Sequence, residues 1–131
     1  MEEVRILDNR NNLYQKALEF SKELVIVYRE LSKNGIEKEL LNQVLRSGTS
    51  IGVNIAEAQG SNSENDYLSK IHIAFNEALE TRFWIELLFK TGDINSEKYN
   101  LLESLLTEIQ KILYSMIKGI NIKKEKQILK K

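Results

Sequence analysis

The chain of 131 residues contains neither cysteine nor proline. Without cysteine it can form no disulfide framework and no thiolate metal site. Proline breaks helix interiors because it removes a backbone donor and clashes with the preceding turn, so its absence leaves long helices unobstructed. Long apolar runs are missing too, since no stretch approaches the roughly 20 residues that span a bilayer. We therefore expect no membrane contact and a chain that is free to form long helices.

An excess of charge of one sign is also missing, because 19 basic and 19 acidic side chains give a formal net charge of zero. With 42% hydrophobic and 29% charged residues, the composition is typical of a single soluble globular domain. Zero net charge argues against a protein that coats nucleic acid by bulk electrostatics. The start MEEVRILDNRNN has no apolar run and no basic segment, so we expect no signal peptide and a cytoplasmic protein.

Apolar side chains recur every three or four residues along four segments, which is the period of a helix with one buried face. The predicted helices cover residues 12–33, 37–59, 63–91 and 96–118. Links of three or four residues make sequential helices antiparallel neighbours. The sequence thus predicts an all-α fold, an antiparallel up-down-up-down four-helix bundle over residues 1–118, followed by a basic tail over residues 119–131.

Each predicted helix has one seam of core side chains. The seams are Leu13, Ala17, Phe20, Leu24, Val27 and Leu31; Leu41, Val44, Gly48, Ile51, Ile55 and Ala58; Tyr67, Ile71, Ala74, Ala78, Ile85 and Leu88; and Leu102, Leu105, Ile109, Ile112 and Met116. Helix three is apolar on nearly its whole circumference in its second half. Phe83, Trp84 and Leu87 are therefore predicted to meet another subunit, the alternative being scattered exposed aromatics of a monomer.

Helix two is unusual because two glycines, Gly48 and Gly52, each disfavour a helix by about 1 kcal/mol. With Ala56 and Gly60 they form a stripe of small residues, spaced by four, where another backbone can approach closely. We assign Gly48, Gly52 and Ala56 to helix packing or a subunit contact. A polar stripe beside them includes Asn54 and Glu57.

The polar groups Arg46, Asn54 and Glu57 have two interpretations. They either bind a partner at a polar groove or make hydrogen bonds and ion pairs that fix the helix register or a subunit contact. We favour the second interpretation.

At helix two the chain resembles a known family. Arg46-Ser47, Ser50-Ile51, Asn54-Ile55-Ala56-Glu57 and then Gly60 resemble the signature of the 23S rRNA intervening-sequence proteins. Tyr14-Gln15-Lys16-Ala17 is similar to the opening of that family. Its members resemble the accessory protein of diversity-generating retroelements, a pentamer of four-helix protomers that contacts RNA and a reverse transcriptase. The resemblance implies a homopentamer, a role with nucleic acid and no catalytic chemistry.

Catalytic and cofactor signatures are missing as well. The sequence has no phosphate-binding glycine motif and no H-E-x-x-H metal motif, and its one histidine, His72, has no cysteine to work with. A helical metal site of the Glu-x-x-His type is absent because Ser69 precedes His72 by three residues. We expect no enzyme, no cofactor and no metal.

The charge is unevenly distributed along the chain. Residues 111–131 carry seven lysines and one glutamate, whereas the first 110 residues carry 12 basic and 18 acidic side chains. The candidate nucleic-acid contacts are Lys118, Lys123, Lys124, Lys126, Lys130 and Lys131. No aromatic side chain alternates with the lysines of the tail, so base stacking is not predicted there. The sequence favours a non-enzymatic oligomeric scaffold that touches RNA or a nucleic-acid-handling protein, the alternative being a structural or protein-binding homo-oligomer without nucleic-acid contact.

Overall fold

In a computed structural model of the chain, four α-helices account for nearly all of the described residues. The structure describes the backbone of residues 2–129 and the side chains of residues 12–123 and 125–129. The helices are α1 (Glu2–Lys33), α2 (Lys38–Gln59), α3 (Glu64–Lys90) and α4 (Ser96–Leu129). No strand occurs within residues 2–129, so the all-α prediction is confirmed.

The helices end where the sequence places its turn residues. Gly35 and Gly92 have φ angles of 77° and 79°, the left-handed region that a residue without Cβ adopts at low cost. The α3 N-terminus is capped by Ser63, whose hydroxyl accepts a hydrogen bond from the Asp66 amide at 3.1 Å. These local devices explain why the three links are short and why each new helix starts close to the end of the last.

Two helices are longer than the sequence predicts. The backbone of α1 begins at Glu2 instead of residue 12, and α4 passes through Gly119 to Leu129 instead of ending at Lys118. A single glycine costs only about 1 kcal/mol in a helix interior, and the lysines, glutamate, glutamine and leucine that follow are good helix formers. The expected tail is therefore helical over its described part, which we call the α4 overhang (residues 118–129).

One hydrophobic core lies between the four helices. The seams predicted for α1 and α2 are buried in full, which confirms them. In α3 the predicted seam is buried from Ile71 onward, while Tyr67 is half-buried. Thr81, a fully buried hydroxyl residue that the apolar pattern skips, completes the seam.

The buried seam of α4 differs from the prediction. It is Leu102, Leu106, Ile109, Leu113 and Ile117. Leu105, Ile112 and Met116 are half-buried at its edge. Adjacent apolar pairs allow two seams about 100° apart, and packing selects one of them.

Each helix contacts two others, in the order α1–α2, α2–α3, α3–α4 and α4–α1. Polar contacts join the last pair, which closes the arrangement. Lys16 of α1 binds Glu108 of α4 at 2.6 Å, and Lys98 of α4 lies 3.4 Å from Glu23 of α1. The described helices therefore enclose their core on all sides and leave outer faces on each helix for other contacts.

Candidate functional site

Two of the small residues of α2, Gly48 and Gly52, face α1 of the same chain. A Cβ atom at Gly48 would overlap the side chain of Leu24 on α1. At Gly52 a Cβ would lie 3.5 Å from the Cβ of Ala17, also on α1. The stripe predicted for helix packing or a subunit contact thus brings α1 close to α2 at these two positions. Ala56, its third member, is exposed.

The hydroxyl and amide groups of α2 bond largely to their own helix. Thr49 Oγ1 donates to the Leu45 carbonyl at 2.7 Å, and Ser50 Oγ donates to the Arg46 carbonyl at 2.7 Å. Asn54 Nδ2 donates to the Ser50 carbonyl at 2.8 Å. Such bonds to the preceding turn compete with the helix in an isolated peptide, so packing must hold α2 together.

Arg46 joins α2 to α3 through two carboxylates. Its guanidinium lies 3.4 Å from Glu77 and in a closer contact with Glu80. The indole Nε1 of Trp84 donates to the same Glu80 carboxylate at 3.2 Å. Arg46 and Glu80 are both more than a third exposed, so their ion pair adds little to stability. Its main effect is to fix the position of α2 along α3. Glu57 makes a separate ion pair, with Lys70 of α3 at 2.7 Å.

The outer face of α3 carries exposed apolar side chains. Phe83 is 59% exposed and packs edge-to-face on Trp84, with ring centroids 5.2 Å apart. Leu79, one turn earlier, is also exposed. Trp84 and Leu87 are half-buried. We call Leu79, Phe83, Trp84 and Leu87 the α3 apolar face.

The predicted lysines lie on the α4 overhang. Lys118, Lys123 and Lys126 are exposed, and the Lys123 ammonium lies 3.8 Å from Glu64 of α3. The side chain of Lys124 and all of Lys130 and Lys131 lie outside the described residues. The overhang begins after Ile117, the last buried core residue, so its lysines are displayed beyond the core.

An aromatic pair between α3 and α4 was missed by the sequence reading. Phe75 of α3 and Tyr114 of α4 have ring centroids 6.4 Å apart, inclined at 40°. They line a shallow groove of about 520 Å³ with Lys111 and Gln110. The signal in the sequence is Lys111, Tyr114 and Lys118, spaced by three and four on one helical face, but Phe75 joins them only through tertiary packing.

A comparison with family models matches residues 9–115 to the 23S rRNA-intervening sequence protein family. The chain belongs to this family. The match includes all of α2 and α3, most of α1 and α4 as far as residue 115, and it confirms the resemblance that the helix-two motif indicates.

The structure is also similar to a solved one, a protein of unknown function from the S23 ribosomal protein family of Bacteroides thetaiotaomicron. The two share 43% sequence identity with a TM-score of 0.80, and the match covers 84% of this chain and 98% of the other. No curated protein matches significantly.

Within the side chains that the structure describes, no cluster of three or more histidine, aspartate or glutamate residues could hold a metal ion. His72 is exposed on α3. No helix in residues 2–129 has an apolar stretch long enough to cross a bilayer. Three surface features stand out among the described residues: the α3 apolar face, the α4 overhang and the Phe75–Tyr114 groove.

Proposed function

We propose that the protein is a non-enzymatic, self-associating scaffold of the bacterial cytoplasm that binds RNA through lysines of α4. The observation that carries the proposal is the α4 overhang, where a basic helix continues past the last buried residue, Ile117. A helix fixes the backbone positions of these lysines, and their flexible side chains can then adjust to a phosphate backbone. Family membership supports the link to ribosomal RNA.

The scaffold in this proposal is an antiparallel up-down-up-down bundle. Two contact pairs between α2 and α3 support that arrangement: Arg46 contacts Glu77, and Glu57, further along α2, contacts Lys70, earlier in α3. The contacts between α1 and α4 support an antiparallel pair in the same way, because Lys16 contacts Glu108 whereas Glu23, later in α1, contacts Lys98, earlier in α4. In this arrangement the free ends of α1 and α4 lie at the same end of the bundle.

Self-association is proposed through the α3 apolar face. An exposed phenylalanine beside an exposed leucine and a half-buried tryptophan is the kind of patch that copies of a chain cover in an assembly. The resemblance to pentameric relatives supports a ring of five. A ring would display five overhangs, and weak contacts on one RNA multiply through effective concentration.

A salt titration of RNA binding tests the RNA part of the proposal. In the triple variant K118Q/K123Q/K126Q, we expect the plot of log affinity against log salt to lose about 2 units of slope, because each phosphate contact on a single strand contributes roughly 0.7. The matched control is K33Q/K38Q/K90Q, which removes three exposed lysines from the opposite end of the helices. Equal losses in both variants, or no RNA binding by the wild type at low salt, would contradict the proposal.

The second candidate is a structural or protein-binding homo-oligomer without RNA contact, which the exposed Phe83 favours. Light scattering separates the assembly from the RNA question. We expect a mass near five times 15.2 kDa for the wild type and a smaller species for Leu79→Ser/Phe83→Ser. Leu18→Ser on α1 serves as the control for loss of an exposed leucine. A wild-type species of 15.2 kDa at high concentration would exclude both the RNA-binding oligomeric scaffold and the homo-oligomer without RNA contact.

A further inference from the structure

Tyr114 presents an aromatic ring to solvent beside a second ring. It is 57% exposed on the outer face of α4, while Phe75 of α3 supports it from the side at a centroid distance of 6.4 Å. The groove that they share is also lined by Thr107, Gln110 and Ser115. The Arg82 guanidinium of α3 already donates to Thr107 Oγ1 at 2.9 Å and to Gln110 Oε1 at 3.0 Å, which fixes these two side chains beside the rings. An exposed aromatic ring that lines an open groove is suited to a planar ligand.

Two lysines flank Tyr114 on the same face of α4. Lys111 precedes it by three residues and Lys118 follows it by four, which places the Cα atoms of the two lysines about 10 Å apart along the helix axis. Glu108, the carboxylate one turn before Lys111, is held by Lys16 of α1 at 2.6 Å. In the part of the chain that the structure describes, neither Lys111 nor Lys118 has an ion-pair partner. Both charges are therefore available to an anion.

We propose that Tyr114 is a stacking platform for one base of single-stranded RNA, with Lys111 and Lys118 binding the phosphates on either side. The inference rests on the proposed RNA-binding function and names the form of RNA that it takes. Every base has an aromatic face, and stacking on an exposed ring contributes sequence-tolerant affinity. In a duplex the bases already stack on one another, so only an unpaired base can reach the ring.

Three variants of the full chain test the stacking. Tyr114→Leu removes the ring and keeps an apolar side chain, Tyr114→Phe keeps the ring, and Tyr99→Leu removes a ring that stacks on Phe89 outside this groove. The probes are a fluorescently labelled oligouridylate and an RNA duplex of the same length. We expect Tyr114→Leu to weaken oligouridylate binding by about 5- to 100-fold, with Tyr114→Phe within about twofold of wild type. Duplex binding should be the same in all variants.

The lysines have a different signature. In K111Q/K118Q the salt slope should fall by about 1.4, the value for two phosphates of a single strand, whereas Tyr114→Leu should leave the slope unchanged. Circular dichroism checks that each variant keeps its helix content. A Tyr114→Leu protein that binds oligouridylate as Tyr99→Leu does overturns the inference.

The outcomes separate this inference from the function on which it rests. If the wild type binds RNA and Tyr114→Leu has no effect, the stacking site is wrong while the overhang lysines remain. If the wild type binds no RNA, both fail together. If Tyr114→Leu changes the solution mass but not the RNA affinity, the groove is covered by a second copy and the stacking site is excluded.

Discussion

The Thr81 hydroxyl of α3 hydrogen-bonds to the Ser47 hydroxyl of α2 at 3.0 Å, and both residues are completely buried. Each oxygen also has a backbone carbonyl within reach: Glu77 at 2.7 Å from Thr81 and Val44 at 3.3 Å from Ser47. A polar pair in an apolar core is tolerated only because both members are satisfied. It joins the two helices directly beside Gly48, whose missing side chain makes room for Leu24.

Thr81→Val keeps the shape of the side chain and removes its hydroxyl. We expect the free energy of unfolding to fall by about 1–2 kcal/mol, because the Ser47 hydroxyl then loses a partner in the core. Ser47→Ala should cost a similar amount. Urea unfolding of both single variants and of the double variant should show that the double loss is smaller than the sum, by at least about 0.5 kcal/mol. Strictly additive losses would mean that the two hydroxyls act independently.

The two glycines of the small stripe should respond differently to alanine. At Gly52 an added Cβ meets Ala17 at ordinary van der Waals distance, so Gly52→Ala should raise the free energy of unfolding by about 0.5–1 kcal/mol through helix propensity. At Gly48 the same atom overlaps the buried Leu24, so Gly48→Ala should be at least about 1 kcal/mol less stable than Gly52→Ala.

A leucine at position 52 provides the contrasting case. Gly52→Leu should wedge α1 away from α2 and lower the melting temperature or the oligomer mass. A Gly52→Leu protein with unaltered size and melting temperature would contradict the close approach at Ala17.

The Arg46 network should matter less than the buried hydroxyl pair. Arg46→Met removes both carboxylate contacts while keeping an unbranched apolar side chain. We expect a loss of less than about 1 kcal/mol, because Arg46 is about half exposed and surface ion pairs are weak. In 1 M NaCl, where the Debye length is about 3 Å, the loss should shrink further. Urea unfolding followed by Trp84 fluorescence, at low salt and in 1 M NaCl, measures the loss of stability. A loss above about 2 kcal/mol that persists in 1 M NaCl would contradict a surface ion pair.

Hydrogen exchange should distinguish the two halves of α4. Amides around Leu106 and Leu113 are in the packed core and should exchange slowly, whereas amides after Gly119 have no buried neighbour in the overhang and should exchange rapidly. Adding RNA should slow exchange in the overhang and leave the core amides unchanged. Overhang amides as protected as Leu106 in the free protein would show that another copy already covers them.

The buried face of a helix can be predicted from the sequence in some of the helices and not in others. The seams of α1 and α2 could be predicted because each has a core residue with no apolar neighbour in the sequence, Phe20 and Ile51, and these two residues fix which face is buried. In α4 the pairs Leu105-Leu106 and Ile112-Leu113 leave two faces open, and the choice depends on the neighbouring helices. The end of α4 was misjudged at Gly119 because a glycine marks a stop only when the residues after it do not favour a helix.

The candidate site was less accessible from the sequence. An ion-pair network at Glu77 and Glu80 could be expected from their spacing on one helix face, but their partner Arg46 is 31 residues away from the nearer of them. Thr81 was passed over because a hydroxyl does not count toward an apolar seam. Phe75 and Tyr114 are brought together by the packing of α3 on α4, which no local pattern contains.

Two features of α2 bear on how the chain folds: hydroxyl groups that hydrogen-bond to the backbone of their own helix, and two glycines. An isolated peptide of residues 38–59 should form little helix. Its Ser, Thr and Asn side chains offer the backbone hydrogen bonds that compete with those of the helix, and its two glycines disfavour helix formation. The helical form of this segment depends on packing against α1 and α3, so we do not expect α2 to nucleate folding. We expect folding to begin among its neighbours, and the segment that carries the family's signature motif to be ordered late.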